Sequence, residues 1–128
     1  MKNACIIVAL IIALSVNAQA RLGSKSQDIC EEFNLTDADY INDPEVGLVL
    51  MFYPDSNVIV SYFLDKDSIC TSVLIQTTSQ KMTDFMVSNY TKKEYLKIED
   101  GWLMRDNGFI FKIIQKKYDD GGSLFYWY

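Results

Sequence analysis

No histidine occurs in the 128 residues, and this absence removes imidazole from every mechanism that needs one. Ser-His and Cys-His nucleophile pairs and imidazole-dependent zinc sites are excluded. Proline is scarce at 2 residues and glycine at 6, so no Pro- or Gly-rich linker divides the chain and no glycine-rich phosphate loop is present. Cations also fall short, 12 Lys and Arg against 17 Asp and Glu. The resulting net charge of −5 argues against a nucleic-acid surface and against a polybasic lipid-binding patch. Long apolar runs are limited to one, Ile6 to Val16. At 1.5 Å rise per residue it falls well short of a hydrocarbon layer of roughly 30 Å, which argues against a membrane anchor.

That run has the layout of an export signal instead. Lys2 supplies a short positive start, and Ala18-Gln19-Ala20 places small residues, Ala18 and Ala20, where a signal peptidase accommodates them. Cys5 precedes the apolar run, so it is not placed as a lipoprotein cysteine. Residues 1–20 are therefore expected to be a cleaved signal peptide, and the product to be secreted or periplasmic, with no membrane span after cleavage. About 108 residues remain, enough for a single domain with one core. Loss of Lys2 takes the net charge to −6. Cys30 and Cys70 are then the remaining cysteines. In an oxidising compartment the pair predicts a disulfide, which would contribute about 3–4 kcal/mol through the unfolded state. Two buried thiols acting as small hydrophobes are the alternative.

Within 21–45, residues 28–34 have the spacing of one or two helical turns with Asp28 as cap, and residues 34–44 (NLTDADYINDP) read as loop. From Val46 the pattern changes. Residues 46–53, 58–64 and 69–77 are β-branched or aromatic runs separated by four-residue turns, an antiparallel meander. The first run is apolar on both alternating faces, which suggests a central or doubly covered strand. Residues 79–90 have helical period in Met82, Phe85, Met86 and Tyr90, with Ser79 or Thr78 as N-cap. Strand runs return at 94–99, 102–105, 109–117 and 123–128, punctuated by Asp100-Gly101, Asn107-Gly108 and Asp119-Asp120-Gly121-Gly122. The expected fold is α+β: an antiparallel sheet of about 6–7 strands with one main amphipathic helix on one face. Residues 46–128 form the sheet and 21–45 belong to the same domain.

Chemistry has little to stand on. Asp37/Asp39, Asp65/Asp67 and Asp119/Asp120 could be acid–base pairs or calcium ligands, but each lies in a loop where Asp bonds its own backbone. The Asp65 run lacks the Gly and distal Glu of an EF-hand. No catalytic residue, metal site or cofactor is assigned, and the chain is not expected to be an enzyme. Aromatics are dense, with 2 Trp, 8 Tyr and 7 Phe, all beyond residue 20, and the sequence closes on Leu124-Phe125-Tyr126-Trp127-Tyr128. Tyr and Trp dominate binding hot spots. An aromatic patch of Trp127, Tyr126, Phe125 and Tyr128, joined by Trp102, is the candidate binding surface. A docked terminal strand is the structural alternative.

The run Tyr62-Phe63-Leu64-Asp65-Lys66-Asp67-Ser68-Ile69-Cys70, followed by a strand, an amphipathic helix and a Trp-bearing hairpin, is similar to small exported proteins of unknown function of the Bacteroidota type. The resemblance covers roughly residues 46–115. It implies an envelope or extracellular α+β domain and supplies no site residues. The expected function is a non-enzymatic binding module with a protein partner. The alternative is a small-ligand or glycan pocket between helix and sheet.

Overall fold

The computed structural model describes residues 21–91, 95–106 and 108–128. The signal-peptide reading, with Ala18 and Ala20, lies outside the described residues, as do Glu94 and Asn107 of the expected strand start and turn. Among the described residues two α-helices and eight strands follow one another, with a short 3-10 turn (Asp37–Asp39) before the first strand: α1 (Ser26–Phe33), β1 (Tyr40–Asp43), β2 (Gly47–Asp55), β3 (Val58–Leu64), β4 (Cys70–Thr77), α2 (Gln80–Asn89), β5 (Tyr95–Ile98), β6 (Gly101–Asp106), β7 (Phe109–Lys117) and β8 (Ser123–Trp127). All eight strands form a single antiparallel sheet in the order β1-β2-β3-β4-β8-β7-β6-β5. The chain thus runs helix and four strands, then helix and four strands, and the last strands of the two halves meet at the centre.

The α+β class is as expected, but there are eight strands where 6–7 were anticipated. The extra strand is β1, in the stretch read as loop. Its Asx-rich sequence is real turn chemistry at one end only: the Asp43 carboxylate accepts from the backbone N–H of Glu45 at 2.8 Å and of Val46 at 3.0 Å. That turn, completed by Gly47 at φ +96°, folds Tyr40 opposite Leu50 and Asn42 opposite Leu48. Pairing with an apolar neighbour overrides weak strand propensity. β2 is consequently second from the edge rather than central. The structural alternative for the aromatic ending, a terminal strand docked between the sheet and the N-terminal segment, is also differently placed, since β8 lies between β4 and β7 in the middle of the sheet.

The two helices are set by different signals. Ser79 caps α2 as expected, accepting from Met82 N–H at 3.3 Å. Asp28 does not cap α1; Lys25 holds that position and Asp28 sits in the first turn, where its charge suits the helix dipole. The segment before α1 is held by main-chain bonds: Gly23 N–H to the Cys70 carbonyl at 2.7 Å, Cys70 N–H to Ser24 at 2.9 Å and Ser26 N–H to Ser68 at 2.8 Å. Ile29 is the buried anchor of α1, and Thr83 and Met86 are buried on α2.

The core lies between the helices and one face of the sheet. In the first half it is mainly aliphatic, with Leu50, Val58, Val60, Val73 and Ile75 around Tyr62. In the second it is aromatic. Tyr90, just past the end of α2, has its ring centroid 4.8 Å from Trp102, 5.6 Å from Phe125 and 5.9 Å from Trp127. Gly101 opens β6 because a side chain there would run into the Ile113 carbonyl of β7. The close strand contact that carries Trp102 into the core therefore needs glycine.

Candidate functional site

The expected aromatic patch does not form one surface. Successive side chains of a strand point to opposite faces, and β8 divides its residues accordingly. Phe125 and Trp127 are wholly buried in the core, and Trp102 is buried beside them. Phe125 and Trp127 cannot reach a partner in the folded state, and Trp102 has no outer surface to offer a protein. Tyr126 and Tyr128 face the other way, 38% and 47% exposed, with ring centroids 5.1 Å apart. The correction follows from the sheet: with β4 on one side and β7 on the other, the Phe125–Trp127 side of β8 is paired against Ile75, Val73 and Ile113 and covered by α2.

The expected disulfide is absent, and both Cys30 and Cys70 are free thiols. Cys30, on α1, makes a 3.3 Å contact with the Tyr40 hydroxyl. Cys70, at the start of β4, donates to the Ser72 carbonyl at 3.4 Å. Burial pushes the Cys70 thiol up to about 12, so it behaves as a small hydrophobe with no thiolate character near neutral pH. Burial likewise raises Tyr62 and Tyr90, and it raises Tyr40 with help from the Cys30 contact.

The paired carboxylates serve the turns. Asp65 accepts from the N–H of Asp67 at 2.8 Å and of Ile69 at 3.0 Å, Asp39 from Thr36 N–H at 2.8 Å, and Asp120 from Gly122 N–H at 2.9 Å. Among the described residues no group of three or more His, Cys, Asp or Glu could hold a metal ion, and no helix is long and apolar enough to cross a membrane.

Two places on the surface can receive a ligand. The first is the outward face of the sheet, away from both helices. Strand register arranges its side chains in cross-strand rows. Ile114 of β7 lies opposite Tyr126, which lies opposite Leu74 of β4, which lies opposite Ser61 of β3. A neighbouring row runs from Leu96 of β5 through Leu103 of β6 to Lys112 of β7. The backbones of Lys112 and Tyr128 exchange hydrogen bonds at 2.9 and 3.0 Å, which continues that row to Tyr128. Leu96 at 65% and Ile110 at 62% are more exposed than Tyr126 and Tyr128. At the β5–β6 end, Leu96, Leu103, Arg105 and Ile110 border a shallow apolar hollow of about 240 Å³. Sequence reasoning missed these aliphatic members. The alternation in 109–117 would have placed Ile110, Lys112, Ile114 and Lys116 on one face, once Ile113 is known to be inside.

The second place is a cleft of about 620 Å³ between α2 and the sheet, lined by Gln80, Asp84, Lys97, Trp102, Gln115 and Tyr118. Thr83 and Ser123, which line it, belong to a hydroxyl network. Thr77 and Thr83 hydroxyls lie 2.8 Å apart, Thr83 also donates to the Gly121 carbonyl at 2.7 Å, and Gln115 donates to the Ser123 hydroxyl at 3.2 Å. Lys97 lies 4.7 Å from the Trp102 ring centroid and donates to the Ile98 and Gly101 carbonyls at 2.8 and 3.2 Å. Comparison with family models, curated proteins and solved structures gives no match.

Proposed function

We propose that the chain is an exported, non-enzymatic protein-binding domain whose docking surface is the outward face of the sheet. The observation that carries this reading is the contrast within β8: Phe125 and Trp127 are fully buried, while Tyr126 and Tyr128 stand exposed on the same face of the sheet as the exposed apolar residues Ile110 of β7 and Leu96 of β5. Contiguous exposed apolar surface is unusual on a monomeric protein and marks an interaction site. Tyrosine is among the side chains best suited to it, burying a large rigid area at the cost of few torsions. Export is supported by the composition of residues 1–20, and the non-enzymatic reading by the lack of histidine and by carboxylates committed to turns.

The test is capture from the secreted and envelope fractions of the source cells. The chain should retain one partner, and Tyr126→Ser with Tyr128→Ser should release it while stability stays within about 0.5 kcal/mol, as for surface substitutions generally. Retention undiminished by both changes in a folded variant would remove the outward face from consideration.

A second reading, a small-ligand or glycan site, is favoured by the cleft beneath α2, whose volume lies in the range of ligand pockets and whose amide and carboxylate side chains suit hydroxyl groups. Hexose addition that shifts amide resonances of Gln80, Asp84 and Gln115, leaving Tyr126 unmoved, would favour it.

A further inference from the structure

Charge is distributed unevenly over the two sides of this acidic protein. On the four central strands, the outward positions of β3 are Ile59, Ser61 and Phe63, and those of β4 are Ser72, Leu74 and Gln76. Those of β8 with the residue after it are Leu124, Tyr126 and Tyr128, and those of β7 are Ile110, Lys112, Ile114 and Lys116. Two lysines stand among them and no carboxylate. Arg105 of β6, opposite Ile110, adds a third cation at the wall of the apolar hollow. Carboxylates are found on α1 at Asp28, Glu31 and Glu32, on α2 at Asp84, in the turns, and at the outer edge of the sheet at Asp43, whose oxygens are bonded to the backbone of its own hairpin.

Such segregation runs against the net charge of −5, so the outward face is a local positive, aromatic surface on a negative molecule. Complementary potential steers a partner and fixes its register more than it adds raw affinity. We infer that the partner is a protein segment bearing carboxylates around an apolar or aromatic anchor. The anchor enters the hollow beside Arg105 and the carboxylates meet Lys112 and Lys116. This rests on the outward face being the docking surface and adds the chemistry of what docks there. The same potential attracts any acidic surface, the helical side of a second copy included, so specificity comes from the anchor as well as from charge.

The experiment uses the isotopically labelled chain and two synthetic peptides of about twelve residues. Both carry the same alternating Leu, Phe and Tyr; the intervening positions are all Glu in one and all Lys in the other. The Glu peptide should shift amide resonances of residues 103–105, 110–116 and 124–128 and should weaken about fivefold between 50 and 300 mM salt. Lys112→Glu with Lys116→Glu, verified as folded by its dispersed spectrum, should weaken it about tenfold. Equal binding of the Lys peptide at the same resonances, or indifference to the charge reversal, would overturn the acidic partner and leave the outward face standing. Shifts confined to the α2 cleft would overturn both. Binding to phosphatidylglycerol vesicles, with neither peptide binding, would overturn a protein partner in favour of a membrane surface. No binding to either peptide or to vesicles would overturn the acidic segment, and the Tyr126/Tyr128 capture experiment would then decide the docking surface separately.

Discussion

The two halves of the molecule share a plan and differ in how they fill it. Each runs from a helix into four strands, the first of them only four residues long. In each, an aromatic side chain at the end of the helix reaches toward the sheet. In the first half it is Phe33, stacked 4.9 Å from Phe52 and 6.3 Å from Tyr62. In the second it is Tyr90, enclosed by Tyr95, Trp102, Phe125 and Trp127. Phe33 remains half-buried, whereas Tyr90 is buried. A phenyl ring has no polar atom and needs only contact. A cage built from Tyr and Trp must also satisfy polar atoms, and here the Trp127 indole N–H donates to the Tyr90 hydroxyl at 3.3 Å. The second half thus gains ring area together with a hydrogen bond. The first leaves the Tyr62 hydroxyl buried, with no hydrogen-bond partner among the described residues.

The sharpest way to break this comparison is to remove one ring from each half. Trp127→Ala should cost about 3–5 kcal/mol in urea unfolding, the range for large aromatic truncations in a core, whereas Phe33→Ala should cost about 2 because its ring is only half-buried. Equal losses would show that the two cores form one cooperative cluster, with no aromatic stronghold.

Alkaline pH should act next in size. Cys70, Tyr62 and Tyr90 all hold their protons more tightly when folded than when unfolded. Below their unfolded values the folded and unfolded states bind equal numbers of protons at these sites and stability is flat. Above those values the unfolded chain releases protons that the folded chain keeps, so stability falls as pH rises. Unfolding free energy should drop by on the order of 2–4 kcal/mol between pH 8 and pH 10.5. Thiol ionises before phenol, so the decline should begin with Cys70 in the first half, and Cys70→Ala should delay its onset.

The smallest effect is the most discriminating. Tyr90→Phe should cost about 1–2 kcal/mol by leaving the Trp127 N–H unpaired, while Tyr62→Phe should be neutral or stabilising by up to about 1 kcal/mol, because it deletes an unpartnered buried hydroxyl. Equal costs for the two substitutions would place an unseen partner at Tyr62.

What the sequence made legible follows from locality. The helix at 79–90, its Ser79 cap and most strand runs are written in periods of 3.6 and 2 and in turn residues close by. The carboxylate pairs read as turn formers because Asp39, Asp65 and Asp120 bond backbone N–H groups within four residues. β1 was hidden because its stability comes from Leu48 and Leu50 across the hairpin. The fate of the aromatic ending was also non-local. Alternation separates Phe125 and Trp127 from Tyr126 and Tyr128, but only pairing with both β4 and β7 decides that the first pair is fully enclosed. Trp102 went astray for the same reason, its burial depending on a helix end twelve residues earlier.

The placement of β8 has a consequence for synthesis. Thr77 pairs with Ser123 and Val73 with Trp127, so the middle of the sheet is joined by its last strand. While a ribosome delivers the 45 residues between Thr77 and Ser123, the first meander can form, but β4 waits with an unpaired edge carrying Val73 and Ile75. An open apolar edge of this kind invites pairing with another chain. The nascent protein is therefore most vulnerable to aggregation between delivery of β4 and delivery of β8, and a holdase that binds extended apolar segments would protect it most during that interval.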